Sequence, residues 1–238
     1  MTTWKLLDTG ANIGAYNMAV DEELLARAQL GETMPVLRFY AWAPPTVSIG
    51  RFQKIETAVN RDACERLGID IVRRITGGRA VLHYKELSYS IIARIDNPLF
   101  PPGVLATYKT IATCLVTGLR ELGVPAELVT RGSRHAELVN TRAKNAACFS
   151  SPSWYELVVN HRKLIGSAQR RLSNAFLQHG SLLLEYDPCL EAEVIPGIRT
   201  DDVVTSMKRE LGRELSREDV MRALLNGFSE ELGIHFTR

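Results

Sequence analysis

Cysteine is scarce in this chain. Four are spread through 238 residues, Cys64, Cys114, Cys148 and Cys189, and no two form a CxxC pair. That spacing speaks against a zinc knuckle, and no two histidines stand at metal-ligand spacing, so no metal site is expected. Long apolar runs are missing too. None reaches the roughly 18 residues that a membrane helix requires, so no membrane partner is expected. Charge of one sign is not in excess: 29 Lys and Arg face 27 Asp and Glu, interspersed, for a net charge of +2. A concentrated basic stripe of the kind that binds nucleic acid is therefore lacking. The opening Met1-Thr2-Thr3-Trp4-Lys5 runs into mixed polar sequence rather than a secretory leader. A cytoplasmic protein with free thiols is the expectation. There is no GxxxxGK[ST] phosphate loop and no Rossmann fingerprint, and no cofactor is expected.

What is present is ordinary globular composition, 45% hydrophobic and 24% charged, enough to bury a core. Helical spacing marks residues 17–30, interrupted by Asp21, Glu22 and Glu23. Strands are expected at 36–42, 46–49, 69–74, 80–83, 87–94 and 176–186. Asn60 reads as the cap of a short helix ending before Gly68. Tyr108, Ile111, Leu115, Leu119 and Leu122 share one face of a helix closed by Gly123. Residues 155–159 and 163–169 read as a hairpin turning at Asn160-His161-Arg162. Ser216-Arg217-Glu218-Asp219 opens a helix to about Leu232. The least regular stretch, 130–147, is basic-leaning and directly precedes Cys148. No linker divides the chain. One α/β domain over 1–238, its core at about 30–235, is expected, with a mixed sheet and flanking helices.

Three segments carry candidate chemistry. Gly77-Gly78 lies between two strands, where backbone can approach a ligand closely; a plain hairpin turn reads equally well. Cys148 sits between the irregular stretch and a strand, whereas Cys64 and Cys114 fall inside helical patterns as core thiols. Cys189 follows Pro188 in a loop-like region. Lys163 starts a strand that continues into the small residues Gly166, Ser167 and Ala168; the alternative is a solvent-exposed lysine beside a turn. His83 and His179 stand in strands that could line a pocket.

Taken together, Arg73-Arg74-x-Thr76-Gly77-Gly78-Arg79-x-Val81-Leu82-His83, Cys148-Phe149-x-x-Pro152-Ser153-Trp154-Tyr155-Glu156-Leu157 and Arg162-Lys163-x-x-Gly166-Ser167-Ala168-Gln169 resemble the lipoate/biotin protein ligase superfamily. Within it the chain looks like the octanoyl-[acyl carrier protein]:protein N-octanoyltransferase branch. The resemblance runs from near residue 4 to about 235. It implies an α/β (α+β) fold with a mixed, largely antiparallel sheet, flanking helices and an acyl tunnel. Cys148 matches the cysteine that carries the acyl thioester, and Lys163 the lysine beside it. Arg73, Arg74, Thr76, Gly77, Gly78, Arg79 and His83 match the glycine loop that walls the acyl pocket; Gly166, Ser167 and Ala168 match further substrate contacts. Two departures stand out: the chain ends at Arg238, where related transferases often continue into a helical tail, and His161 occupies a turn position where glycine is more usual.

The implied donor is an octanoyl-acyl carrier protein. The implied acceptor is a lysine of a lipoyl-domain protein such as the glycine cleavage H protein, and a monomeric enzyme is expected. Lys163 would lower the pKa of Cys148 and stabilise the oxyanion. The base that deprotonates the acceptor amine stays open among His83, His179 and water. Arg131, Arg134, Arg142, Lys144, Arg170 and Arg171 could steer acidic carrier domains. Three other readings remain: an ATP-dependent lipoate ligase, an amidotransferase between lipoyl-domain proteins, and a non-catalytic binder of acylated carriers. The ligases lack this cysteine and typically carry three glycines where this chain has Gly77-Gly78-Arg79.

Overall fold

The computed structural model describes residues 2–129, 156–197, 200 and 202–237. In chain order the strands are β1 (Thr2–Asn12), β2 (Val36–Trp42), β3 (Thr46–Ile49), β4 (Asp70–Arg73), β5 (Val81–His83), β6 (Glu86–Arg94), β7 (Glu127–Leu128), β8 (Leu157–Val159), β9 (Arg162–Arg171), β10 (Ala175–Leu183) and β11 (Ile234–Thr237). The helices are α1 (Gly14–Leu30), α2 (Ile55–Ala58), α3 (Arg61–Leu67), α4 (Val104–Glu121), α5 (Pro188–Val194), α6 (Met207–Leu211) and α7 (Arg217–Leu232). Eight strands form one sheet in the order β11-β1-β2-β6-β10-β9-β8-β7. Only β1 runs parallel to its neighbours, β11 and β2, so the sheet is mixed and largely antiparallel. A second sheet has the order β4-β3-β5.

Strand alternation gives the main sheet two different faces. Leu37 and Phe39 of β2, Leu87, Tyr89 and Ile91 of β6, and Phe176 and Leu182 of β10 point one way. They bury against Ile111, Leu115 and Leu119 of α4 and Leu224 and Phe228 of α7. The other face is covered partly by α1. The buried side of α1 carries Asn17, Met18, Asp21, Leu24, Leu25 and Ala28, whereas Glu22 and Glu23 face solvent. Asp21 thus belongs to the buried stripe.

Local chemistry accounts for several boundaries. The Asn60 side chain accepts from Ala63 N at the start of α3, and Gly68 closes it with φ 64°. Ser216 accepts from Asp219 N at the start of α7. The β8–β9 hairpin turns through Asn160 (φ 47°) and His161 (φ 65°), so the glycine-free turn still adopts the left-handed backbone a tight hairpin needs.

Two expectations need correction, and two strands went unread. Residues 74–80 are not a hairpin turn: β3 inserts between β4 and β5, parallel to the first and antiparallel to the second, so this segment crosses over β3. Cys189 lies in α5, not a loop; Asp187 accepts from Leu190 N and Pro188 fits the first turn, where no amide proton is needed. β1 lacks clean alternation because its burial is irregular along eleven residues, and it escaped the sequence reading. β11 escaped it too, since four residues carry little periodicity. Residues 130–147 and Cys148 fall outside the described residues. None of the described helices is long and apolar enough to cross a membrane.

Candidate active site

The face of the main sheet opposite α4 is polar where it meets the small sheet. Arg38, Tyr40 and Trp42 alternate on β2, Ser88 and Ser90 on β6, and His179 and Ser181 on β10; every one is buried or half-buried. Strand spacing of two brings them onto one surface. Facing them are Ser48 of β3, His83 of β5 and Arg74 just beyond β4. Between the two sheets lies a partly open cavity. Met18, Tyr40, Trp42 and Val81 supply apolar or aromatic wall, and Lys163, Gly166, Ser167 and Ala168 of β9 line it further.

Two buried networks brace this cavity. In the first, Arg38 Nη1 donates to Asp21 Oδ1 at 2.7 Å and to the Asn17 carbonyl at 2.9 Å. Ser90 Oγ donates to Asp21 Oδ1 at 2.8 Å. His179 Nδ1 lies 3.1 Å from Asp21 Oδ2, and its Nε2 lies 2.7 Å from Thr76 Oγ1. Burial pushes the Asp21 carboxyl up, but the His179 hydrogen bond and charge, then Arg38 and Ser90, outweigh it and hold the carboxyl below its ordinary range. Burial, with the Asp21 charge adding to it, pushes the Tyr40 hydroxyl well above its usual value. Thr76 is thereby tied to the main sheet and anchors the segment before Gly77.

The second network surrounds His83. Its Nδ1 lies 2.9 Å from Glu86 Oε1 and its Nε2 2.7 Å from Ser48 Oγ. Its ring stacks on Trp42 at 4.0 Å between centroids and 13° between planes. Arg74 Nη1 donates to Ser48 O at 2.8 Å and to Ser48 Oγ at 2.9 Å, and its Nη2 to the Gly77 and Arg79 carbonyls at 3.0 and 2.6 Å. The glycine segment is thus held by Arg74 from inside. It also passes very close to β3: a Cβ on Gly50 would sit 2.0 Å from the Gly78 carbonyl oxygen, so only glycine fits there.

Lys163 is not a solvent-exposed lysine. Its side chain is 2% exposed, and Nζ donates to Glu156 Oε1 at 2.7 Å, itself 5% exposed. The backbone around it is pinned as well, since Lys163 N donates to Val203 O and Thr205 N to Lys163 O.

Of the residues expected at the site, Arg74, His83, Lys163, Gly166, Ser167 and Ala168 line the one cavity. Arg73, Thr76, Gly77, Gly78 and Arg79 stand outside its lining. Arg73 is turned outward, with Nη1 donating to the carbonyls of Gly50, Arg51 and Gln53. Arg171 does not present a free basic face: it donates to Thr107 Oγ1 at 3.2 Å and lies over the Phe176 ring. Cys148, Arg131, Arg134, Arg142 and Lys144 lie outside the described residues. The sequence reading missed Ser48, Glu86, Glu156 and Ser181. For Ser48, Glu86 and Ser181 the one signal was polar residues recurring every second position in otherwise apolar strands; Glu156 had only its place in the motif that begins at Cys148.

The family model for the lipoyl protein ligase A/B catalytic domain matches residues 14–229. An octanoyltransferase LipM of Kyrpidia tusciae is 43% identical over 243 residues, 98% of this chain and 88% of that one. An octanoyltransferase LipM of Moorella thermoacetica is 48% identical over 184 residues, spanning 76% of this chain and 65% of the relative. Among solved structures, a lipoate-protein ligase A bound with ATP superposes with a TM-score of 0.80 at 26% identity, covering 100% of this chain and 87% of that one. Fold, motif order and matched length agree: the chain belongs to the lipoyl protein ligase A/B catalytic-domain family and, within it, to the LipM octanoyltransferases.

Proposed function

We propose that this chain moves an octanoyl group from acyl carrier protein onto Cys148 as a thioester, and from there to a lysine of a lipoyl-domain protein. A thioester donor is already activated, so the first step needs no ATP. The Cys148 thiolate adds to the donor carbonyl and the carrier's thiolate leaves, giving a thioester of similar energy.

The observation that carries this reading is the buried ammonium of Lys163 in the cavity wall. It stands on the hairpin that follows the Cys148 segment. A thiolate is the reactive form of cysteine, and a neighbouring cation favours it by about 1.4 kcal/mol for each pH unit of pKa depression. Glu156 fixes Nζ in place. The same ammonium is suited to an oxyanion developing on the octanoyl carbonyl. Met18, Tyr40, Trp42 and Val81 offer the chain an apolar lining, and His83, Arg74, Gly166, Ser167 and Ala168 shape the walls near Lys163. Thr76, Gly77 and Gly78 act from behind, by fixing the Arg74 segment. The acceptor would be a lipoyl domain such as the glycine cleavage H protein, and the enzyme a monomer built as one domain.

Intact mass after incubation with octanoyl-acyl carrier protein tests the reading. A gain of one octanoyl group that is lost in Cys148→Ser supports it. Full transfer activity in Cys148→Ser overturns it. The likeness to an ATP-bound lipoate ligase favours a second reading, ATP-dependent activation of a free acid. Product formed from ATP and free octanoate, without the carrier thioester, would decide for that one.

A further inference from the structure

The transfer to the acceptor lysine needs a proton acceptor, and the buried networks distinguish two candidates. His179 also lines the cavity, but its ring nitrogens face Asp21 and Thr76, and Thr76 is fully buried and outside the cavity, so that chain ends in protein. The chain Glu86–His83–Ser48 opens the other way: His83 and Ser48 both line the cavity that holds Lys163.

A guanidinium only donates, so Ser48 Oγ accepts from Arg74 Nη1. With the imidazole neutral and its proton on Nδ1, Ser48's own proton points to His83 Nε2, which accepts it. That Nδ1 proton is donated to Glu86 Oε1. Ser88 Oγ and Ser181 Oγ also donate to that oxygen, at 2.5 and 2.9 Å, and the buried Oε2 of Glu86 has no hydrogen-bond partner among the described residues. In its neutral form the imidazole then has its unprotonated nitrogen aimed at a cavity hydroxyl and a carboxyl group behind it. Acid–base sites built on histidine have this order.

We propose that His83, reached through Ser48 and oriented by Glu86, takes the proton released when the acceptor lysine attacks the acyl-enzyme. This rests on the Cys148 thioester reading. The acceptor arrives as a neutral amine after losing one proton to solvent. Its nitrogen bonds to the octanoyl carbonyl carbon, and the carbon–sulfur bond breaks. The electron pair leaves on Cys148 sulfur as thiolate. The surplus proton on nitrogen passes to Ser48 Oγ as Ser48's proton passes to Nε2, and Glu86 balances the imidazolium. Proton release to solvent resets the relay. Among the described residues, the other charged and titratable groups lining the cavity are Arg74 beyond β4, Lys163 on β9, His179 on β10 and Tyr40 on β2. Two of them, Arg74 and Lys163, are cations, which discourages a charged amine from entering and favours the neutral nucleophile.

The test separates the two half-reactions. Wild-type enzyme, His83→Gln, Glu86→Gln and Ser48→Ala are loaded with octanoyl-acyl carrier protein, and the isolated acyl-enzymes are mixed with a lipoyl-domain acceptor across pH in single turnover. Transfer in His83→Gln is expected to fall about 100- to 10,000-fold, far more than loading, with a flattened pH profile. Glu86→Gln should fall in the same direction by less. Hydroxylamine, an amine already neutral near pH 7, should discharge the His83→Gln thioester as fast as the wild-type one. Equal losses in loading, lysine transfer and hydroxylamine discharge would mean a structural role and overturn the proposal. So would wild-type transfer with an unchanged pH profile in His83→Gln. Failure of the wild-type enzyme to load on Cys148 overturns the thioester reading first, and this one with it.

Discussion

Glu156 Oε1 lies 2.7 Å from Lys163 Nζ, and both side chains are buried, with Lys163 lining the cavity. The pair determines where the ammonium can be. A lysine stem has four rotatable carbons, and only a fixed counter-anion holds its head at one point in an apolar wall. The pair also makes the charge affordable inside the fold, since an isolated buried cation shifts its pKa instead.

Removing one partner of this pair should therefore cost twice. Glu156→Gln is expected to destabilise the fold by about 3–5 kcal/mol, the usual penalty for splitting a buried ion pair. It should also slow octanoyl loading, because Nζ loses its fixed position. The double variant Glu156→Gln with Lys163→Met should regain part of the stability and none of the activity. Urea unfolding alongside a loading assay measures both; equal stability of Glu156→Gln and wild type would show the pair to be unimportant to the fold.

Gly180 stands where three strands crowd. A Cβ there would meet Ser167 Oγ at 2.6 Å, Tyr89 Cε1 at 2.7 Å and Gly166 O at 2.8 Å. Ser167 and Tyr89 are joined by a 2.7 Å hydrogen bond, so neither gives way freely. Gly180→Ala should destabilise by about 1–3 kcal/mol, as overpacked cores do. Because Gly180, Ser167 and Gly166 line the cavity, octanoyl transfer should fall further than stability alone explains. Thermal unfolding and steady-state transfer on the same sample give the comparison.

Asp21 sets an acid limit. Its folded carboxyl is held below the ordinary range, whereas in the unfolded chain it titrates at about 3.9. A depressed folded value means the contribution is fully present above about pH 4 and is lost as pH falls through the folded value. Asp21→Asn should lower stability at pH 7, where the wild type holds the full ion pair with Arg38, and should show a shallower loss on acidification below about pH 4. Unfolding free energies from pH 7 to pH 3 check this, and parallel curves for the two proteins would refute it.

The thiols should divide by burial. Burial pushes both the Cys64 and the Cys114 thiols up, and the Glu231 charge adds to this at Cys114. A raised thiol is mostly protonated and slow as a nucleophile. Low iodoacetamide at neutral pH should label Cys148 first, leave the exposed Cys189 for later, and spare Cys64 and Cys114 until denaturation. Peptide mass mapping over time reads the order. Labelling of Cys114 ahead of Cys148 would contradict the assignment of the nucleophile.

The sequence by itself determined the element framework and the linear motifs. Asn60, Gly68, Gly123 and Ser216 announce helix ends through short-range hydrogen bonding that depends only on neighbours in the chain. The α4 stripe and β2, β3 and the β8–β9 hairpin were legible for the same reason: period and turn chemistry are local. The motifs around Gly77, Cys148 and Lys163 named the family from residue order alone. Tertiary structure decided everything that needs distant residues to meet. That Gly77-Gly78 crosses over β3, and does not turn a hairpin, follows from an insertion of β3 between β4 and β5 that no local pattern encodes. Asp21 and His179, 158 residues apart, touch only because α1 packs on β10. Lys163 reads as a surface lysine until the hairpin turns it inward onto Glu156. Ser48 and Glu86 look like ordinary strand and strand-edge residues; only the meeting of the two sheets places both beside His83.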